Sequence, residues 1–211
     1  MYETILELPL FKGIGEEQLS YMLEKTGFDF LKFNDRESIY LAGEKVKGID
    51  FILDGKVINR YAIKNSDINV LEIMGKGSIL GANNLYGMIT HYLADSLSIG
   101  KVSVMRVDKA QYMSILQIHP IFILNFVNYL SAAAQRNAEI LIEREVSGIS
   151  RDLKILGLSL TSRMAERIMI EGSDESFAEY CGVSLPHFRE WKKEESANGR
   201  IKIEGNIIIL K

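Results

Sequence analysis

The stretch from Asp174 to Lys193, DESFAEYCGVSLPHFREWKK, constrains the fold of this chain more than any other. A helix-turn-helix needs a small residue on its first helix, where the second crosses, and a glycine in the turn, where φ must be positive. Ala178 and Gly182 fill those two places. Phe177, Cys181, Val183, Phe188 and Trp191 fill the apolar offsets that join the helices. Ser184 is placed to cap the second helix, and Pro186 falls in its first turn. Arg200 to Leu210 follows as a hairpin with its turn at Gly205-Asn206, which is what a winged version requires. From residue 147 onward the order reads helix, short strand, two helices, hairpin.

Within this motif Phe188 and Trp191 read as core, and Cys181 as a small buried hydrophobe. Ser184, Leu185, His187, Arg189, Lys192 and Lys193 are the candidates for DNA contact. His187 and Arg189 lie near the helix start, where base edges are reached. Lys192 and Lys193 lie later and suit phosphates. The same side chains also fit an ordinary solvated face.

Upstream the texture changes. Glycines recur at 43, 48, 55, 75, 77, 81, 87 and 100, with short apolar runs between them, such as 48–53, 69–74 and 101–107. That spacing suits an all-β barrel or sandwich, and Asp54-Gly55 is a hairpin signal. Glu16 to Glu24 reads as a short helix preceding the strands. From Lys109 to Glu145 there is no glycine, and the only proline is Pro120, at a helix start. Beyond it Ile123, Phe126, Leu130, Ala133, Asn137 and Ile140 recur at alternating spacings of three and four. Such a stripe fits a self-dimer, with Asn137 fixing register; it also fits a helix packed on its own β domain. The expected fold is α+β: a double-stranded, jelly-roll-like β-roll over 1–118, a long dimerisation helix over 119–146 and a winged helix-turn-helix over 147–211.

The formal charge of −3 excludes a basic nucleic-acid coat, and the C-terminal part balances ten basic against ten acidic residues. A single cysteine excludes an internal disulfide, a Cys-rich zinc site and a Cys-ligated iron–sulfur cluster, and it fits a reducing compartment. With an acidic start and no apolar stretch long enough to cross a membrane, the expectation is a cytoplasmic protein without a membrane partner. No phosphate loop, Gly-x-Ser-x-Gly or His-Glu-x-x-His is present, and His91, His119 and His187 support no triad, so no enzyme is expected.

This order of parts resembles the Crp/Fnr family of bacterial transcription regulators. The resemblance is carried by Leu10-Phe11-Lys-Gly-Ile14, Ala42-Gly43-Glu44, Phe51 to Val57 and Gly75-Lys-Gly-Ser-Ile-Leu-Gly81, together with the C-terminal motif. It implies a homodimer joined through the long helices, double-stranded DNA with two-fold symmetry as partner, and RNA polymerase as a further one. Members that bind cyclic AMP carry a Gly-Glu followed by an Arg-Ser or Arg-Thr pair. Here Gly81 is followed by Ala82, Asn83 and Asn84, and His91 to Ser96 contains no arginine. A buried phosphate without a cation is poorly compensated, so no cyclic-AMP response is expected. No cofactor is expected. His91 and His119 are the only roll-side candidates for a haem ligand, and both read more simply as ordinary histidines. Leu80, Leu85, Tyr86, Met88 and Tyr92 could line an apolar effector pocket, or could equally be closed core. Leu185 and Glu190 replace the arginines common in the family's recognition helix. These replacements leave a second reading open: a ligand-sensing or protein-interaction module with a weakened DNA head.

Overall fold

The computed structural model describes residues 2–142 and 148–210. Residues 143–146, the end of the expected long helix, lie outside them. The chain forms two compact units: residues 1–57 with 74–134, and residues 58–73 with 135–211.

In the first unit two short helices, α1 (Tyr2–Leu6) and α2 (Glu16–Lys25), precede the strands. These are β1 (Asp29–Phe33), β2 (Ser38–Tyr40), β3 (Gly48–Ala62, which runs on into the second unit), β4 (Asn69–Met74, which returns from it), β5 (Ile79–Leu80) and β6 (Asp95–Asp108). Strand β6 organises the unit. It pairs antiparallel with β1, from Asp29↔Arg106 to Phe33↔Val102, and nearer its start with β2. Strand β5 pairs with β3 at Phe51↔Ile79. Alternating side chains of these strands enter a core with Phe11, whose ring meets Phe51 and Phe122 edge-on at 5.3 and 5.7 Å.

Asp54-Gly55 is not a hairpin turn: β3 runs through both residues without reversing. The signal is real but serves another purpose. Gly55 has φ +86°, and a Cβ there would stand 2.3 Å from the carbonyl oxygen of Lys101. Only glycine lets the strand bend this close to the neighbouring backbone.

Asp108 ends β6 and caps α3 (Lys109–Ile118), accepting from the Gln111 amide at 2.8 Å. Helix α4 (Pro120–Ile142) follows at a bend of 120°. His119 is extended between them, as a residue before proline must be. Its Nδ1 accepts from the Ile121 amide at 3.2 Å. No single helix among the described residues is long and apolar enough to cross a membrane.

The second unit holds α5 (Ile149–Leu160), β7 (Ala165–Glu171), α6 (Asp174–Tyr180), α7 (Leu185–Ala197), β8 (Ile201–Glu204) and β9 (Ile207–Leu210). Strands β7, β9 and β8 form an antiparallel sheet, turned between β8 and β9 at Gly205-Asn206. The 58–73 hairpin belongs to this unit, although the sequence offers it as part of the roll; β4 lies beside β7 in the sheet. Ile68 and Val70 enter the same core as Leu153, Ile170, Phe177, Phe188 and Ile208. A buried carboxylate ties the hairpin down. Glu72 accepts from Asn59 Nδ2 at 2.9 Å, from the Tyr61 hydroxyl at 3.0 Å and from the Ser162 amide at 2.5 Å.

Candidate nucleic-acid interface

Helix α6 is started by Ser173, whose Oγ accepts from the Ser176 amide at 3.2 Å. The helix ends in a tight turn: Gly182 takes φ +64°, and the Val183 amide returns to the Ala178 carbonyl at 3.0 Å. Ser184 then caps α7, accepting from the His187 amide at 3.4 Å, with Pro186 in the first turn. The apolar offsets join the two helices. Phe188 is fully buried, its ring stacked 5.6 Å from that of Phe177 and 5.4 Å from Trp191. Trp191 donates from Nε1 to Ser150 Oγ at 2.8 Å, which satisfies its one polar atom. Cys181 is half-buried and free, and burial pushes its thiol up to about 11, with the charge of Asp152 adding to the effect. It is a neutral packing residue at physiological pH.

Packing of that inner side leaves the other side of α7 to solvent. Pro186, His187, Arg189, Glu190, Lys193 and Glu194 are exposed, as is Ser184, while Leu185 is half-buried against the core. The cations are not equivalent. Arg189 reaches back to α6, with Nε 3.3 Å from Asp174 Oδ2 and Nη2 3.0 Å from Glu175 Oε1. Lys192 Nζ lies 2.7 Å from Asp174 Oδ1, and its side chain is only 17 % exposed. Lys193 has no ion-pair partner among the described residues. Burial pushes the Asp174 carboxyl upward, but the hydrogen bonds and charges of Lys192 and Arg189 outweigh it and hold the group below its usual range. Asp174 and Glu175 are therefore part of the candidate surface. Sequence reasoning missed them because a helix N-terminus favours acidic residues for its own sake.

The stripe expected on α4 splits between two faces. Phe126 is buried in the first unit's core, with edge contacts to Tyr86 and Tyr112 at 6.1 and 5.3 Å. Ile140 is buried too, Leu130 and Ala133 are half-buried, and Ile123 and Asn137 are exposed. The apolar residues left to solvent are Ile123, Leu124, Val127, Leu141 and Ile142, with the small Ser131, Ala134 and Ala138 also exposed. Leu124, Val127, Ser131, Ala134, Ala138 and Leu141 keep the alternating spacing of three and four, one residue out of phase with the expected stripe.

The five residues considered for an effector pocket differ in their settings. Leu80 and Leu85 are closed core, Tyr86 leans on Phe126, Met88 is fully exposed, and Tyr92 stacks on Tyr40. Among the described residues no group of three or more His, Cys, Asp or Glu side chains is placed to hold a metal ion.

No family model matches the chain. No curated protein matches it either. Solved structures do. The catabolite activator protein of Thermus thermophilus superposes with a TM-score of 0.54 at 14% identity, over 96% of this chain and 93% of that one. DNR from Pseudomonas aeruginosa gives 0.51 at 15% identity, over 99% and 92%. A cAMP-binding acyltransferase from Mycobacterium smegmatis gives 0.51 at 19% identity, but over 66% of this chain and 41% of its own. At such identities a likeness speaks for architecture alone: the chain is similar in its α+β fold to Crp/Fnr-type transcription regulators.

Proposed function

We propose that this protein is a DNA-binding transcription regulator of Crp/Fnr type. It works in the cytoplasm as a homodimer on a two-fold site, with RNA polymerase as a further partner. In this reading α6, the Gly182 turn and α7 form the helix-turn-helix, and the β8–β9 hairpin is its wing. The observation that carries the reading is the division of α7. One side is locked by Phe188 and Trp191, while the other presents Ser184, His187, Arg189 and Lys193 on a rigid, capped helix. A helix fixed in this way can enter a major groove with its first turns toward base edges. The out-of-phase apolar stripe on α4, from Leu124 to Leu141, supports pairing of two long helices.

No response to cyclic AMP is part of the proposal. The segment after Gly81 offers Ala82, which is buried, and two asparagines, and no arginine lies between His91 and Ser98.

One observation favours a second reading, a ligand-sensing or protein-interaction module with a weakened head. Asp174 and Glu175 already engage Arg189 and Lys192, and Glu190 and Glu194 stand on the exposed side. Duplex binding measured against salt concentration separates the two. Affinity that falls linearly on log–log axes and prefers some sequences supports the regulator. A signal blind to both salt and sequence supports the module.

A further inference from the structure

The first unit contains a cavity of about 490 Å³ that the DNA-binding reading does not use, a size that holds small molecules. Of the residues considered above for an effector pocket, only Tyr92 lines it. Its wall includes Tyr40 at the end of β2 and Tyr92 just before β6, whose rings stack 3.8 Å apart. Each is 8 % exposed, and neither hydroxyl has a partner in good hydrogen-bond geometry among the described residues, although Asp50 and Arg106 lie near that of Tyr40. Buried polar groups without partners are uncommon, and each asks for an explanation. Burial raises both phenolic pKa values, so the two hydroxyls stay protonated.

Arg106 on β6 lies over the Tyr40 ring, 5.0 Å from its centroid. Its Nε and Nη2 donate to the fully buried Asp50 at 2.8 and 2.7 Å. That bidentate pair holds the guanidinium still and leaves Nη1 without an acceptor among the described residues. Lys45 and Lys47 add two ammonium groups at the rim, neither in an ion pair among the described residues. The remaining carboxylates at the cavity are each engaged through one oxygen. Glu44 accepts from the Leu41 amide at 3.1 Å, and Asp108 caps α3. The uncommitted groups of Tyr40, Tyr92, Arg106, Lys45 and Lys47 can all donate, while Glu44 Oε1 and Asp108 Oδ2 remain acceptors at the same cavity.

We propose that this cavity binds a small organic anion, a carboxylate or phosphate ester, held by Lys45, Lys47 and Arg106, with acceptor atoms supplied to the Tyr40 and Tyr92 hydroxyls. The proposal does not depend on DNA binding, and its test contains no DNA. The full chain is titrated calorimetrically with salicylate, citrate and inorganic phosphate, and with neutral salicylamide. At least one anion is expected to bind saturably, once per chain. The Lys45→Glu/Lys47→Glu variant should weaken that anion by at least about tenfold, and where salicylate is the binder, salicylamide should be weaker by a similar factor. Both lysines are exposed, so the variant should melt like the parent. Tyr92→Phe should weaken the anion as well. Absence of saturable binding by all three anions up to about 10 mM overturns the proposal. So does equal affinity in the double-lysine variant, or for salicylamide where salicylate binds.

Discussion

Arg189 on α7 donates from Nε to Oδ2 of Asp174 on α6 at 3.3 Å, while Lys192 occupies the other oxygen of the same carboxylate at 2.7 Å. One side chain of the first helix thus holds two cations of the second. A duplex seeking those cations must compete with it. Asp174→Asn should free them, tighten binding to any duplex and steepen the log–log salt slope by about one per chain. Fluorescence anisotropy across a salt series checks this, and an unchanged slope would mean that neither cation meets phosphate.

The same carboxyl gives a pH dependence. Its folded pKa is depressed, so its contribution is complete above the ordinary carboxylate value and is lost as the pH falls through the folded one. The carboxylate keeps partial contact with solvent at 24 % exposure, so the gain is small, roughly 0–1 kcal/mol. Urea unfolding at neutral pH should find Asp174→Asn slightly less stable than the parent. The gap should begin to narrow as the pH falls through about 4, the unfolded carboxyl's value, and close only below the lower folded value, where the parent carboxyl is neutral too.

Glu72→Ala removes the acceptor that the Ser162 amide, Asn59 and Tyr61 share. Leaving the half-buried Ser162 amide without its acceptor costs about 1–3 kcal/mol, and truncating Glu72, which is 1 % exposed, also opens a gap among buried groups. The variant should lose at least about 2 kcal/mol in chemical unfolding of the second unit. Glu72→Gln keeps one acceptor oxygen and should lose less.

Gly55 and Gly43 share φ +86°, but a Cβ meets the Lys101 carbonyl at 2.3 Å at Gly55 and nothing within 4 Å at Gly43. Gly43→Ala should therefore cost only conformational strain, about 1 kcal/mol. Gly55→Ala should cost visibly more and lower the melting temperature further. Equal losses would show that backbone approach is not what glycine serves there.

Leu124 and Val127 are exposed on α4 and stand outside the core of the first unit. Leu124→Glu/Val127→Glu should sediment as a monomer, with the fold intact by circular dichroism. A variant that remains dimeric would place the seam elsewhere.

The C-terminal motif was legible because its signals are local. Gly182, Ser184 and Phe188 each do what their spacing implies, since turns, caps and helix faces are set within a few residues. Long-range geometry was not legible. Asp54-Gly55 carries a turn signal, but its positive φ serves an approach to Lys101. The period of the α4 stripe was visible and its phase was not. The helix is apolar on two sides, and only tertiary packing decides that Phe122 and Phe126 go inward while Leu124 and Val127 stay out. The Asp50–Arg106 pair joins residues on separate strands, β3 and β6; its one local trace is a carboxylate inside the apolar run Ile49-Asp50-Phe51.

The most direct test of the account is selection of duplexes from random-sequence DNA by the full chain at low salt, followed by footprinting. The account expects two inverted half-sites about 34 Å apart along the helix axis, lost on His187→Ala with Arg189→Ala. Recovery of no enriched sequence, or of enrichment that survives both substitutions, would contradict it.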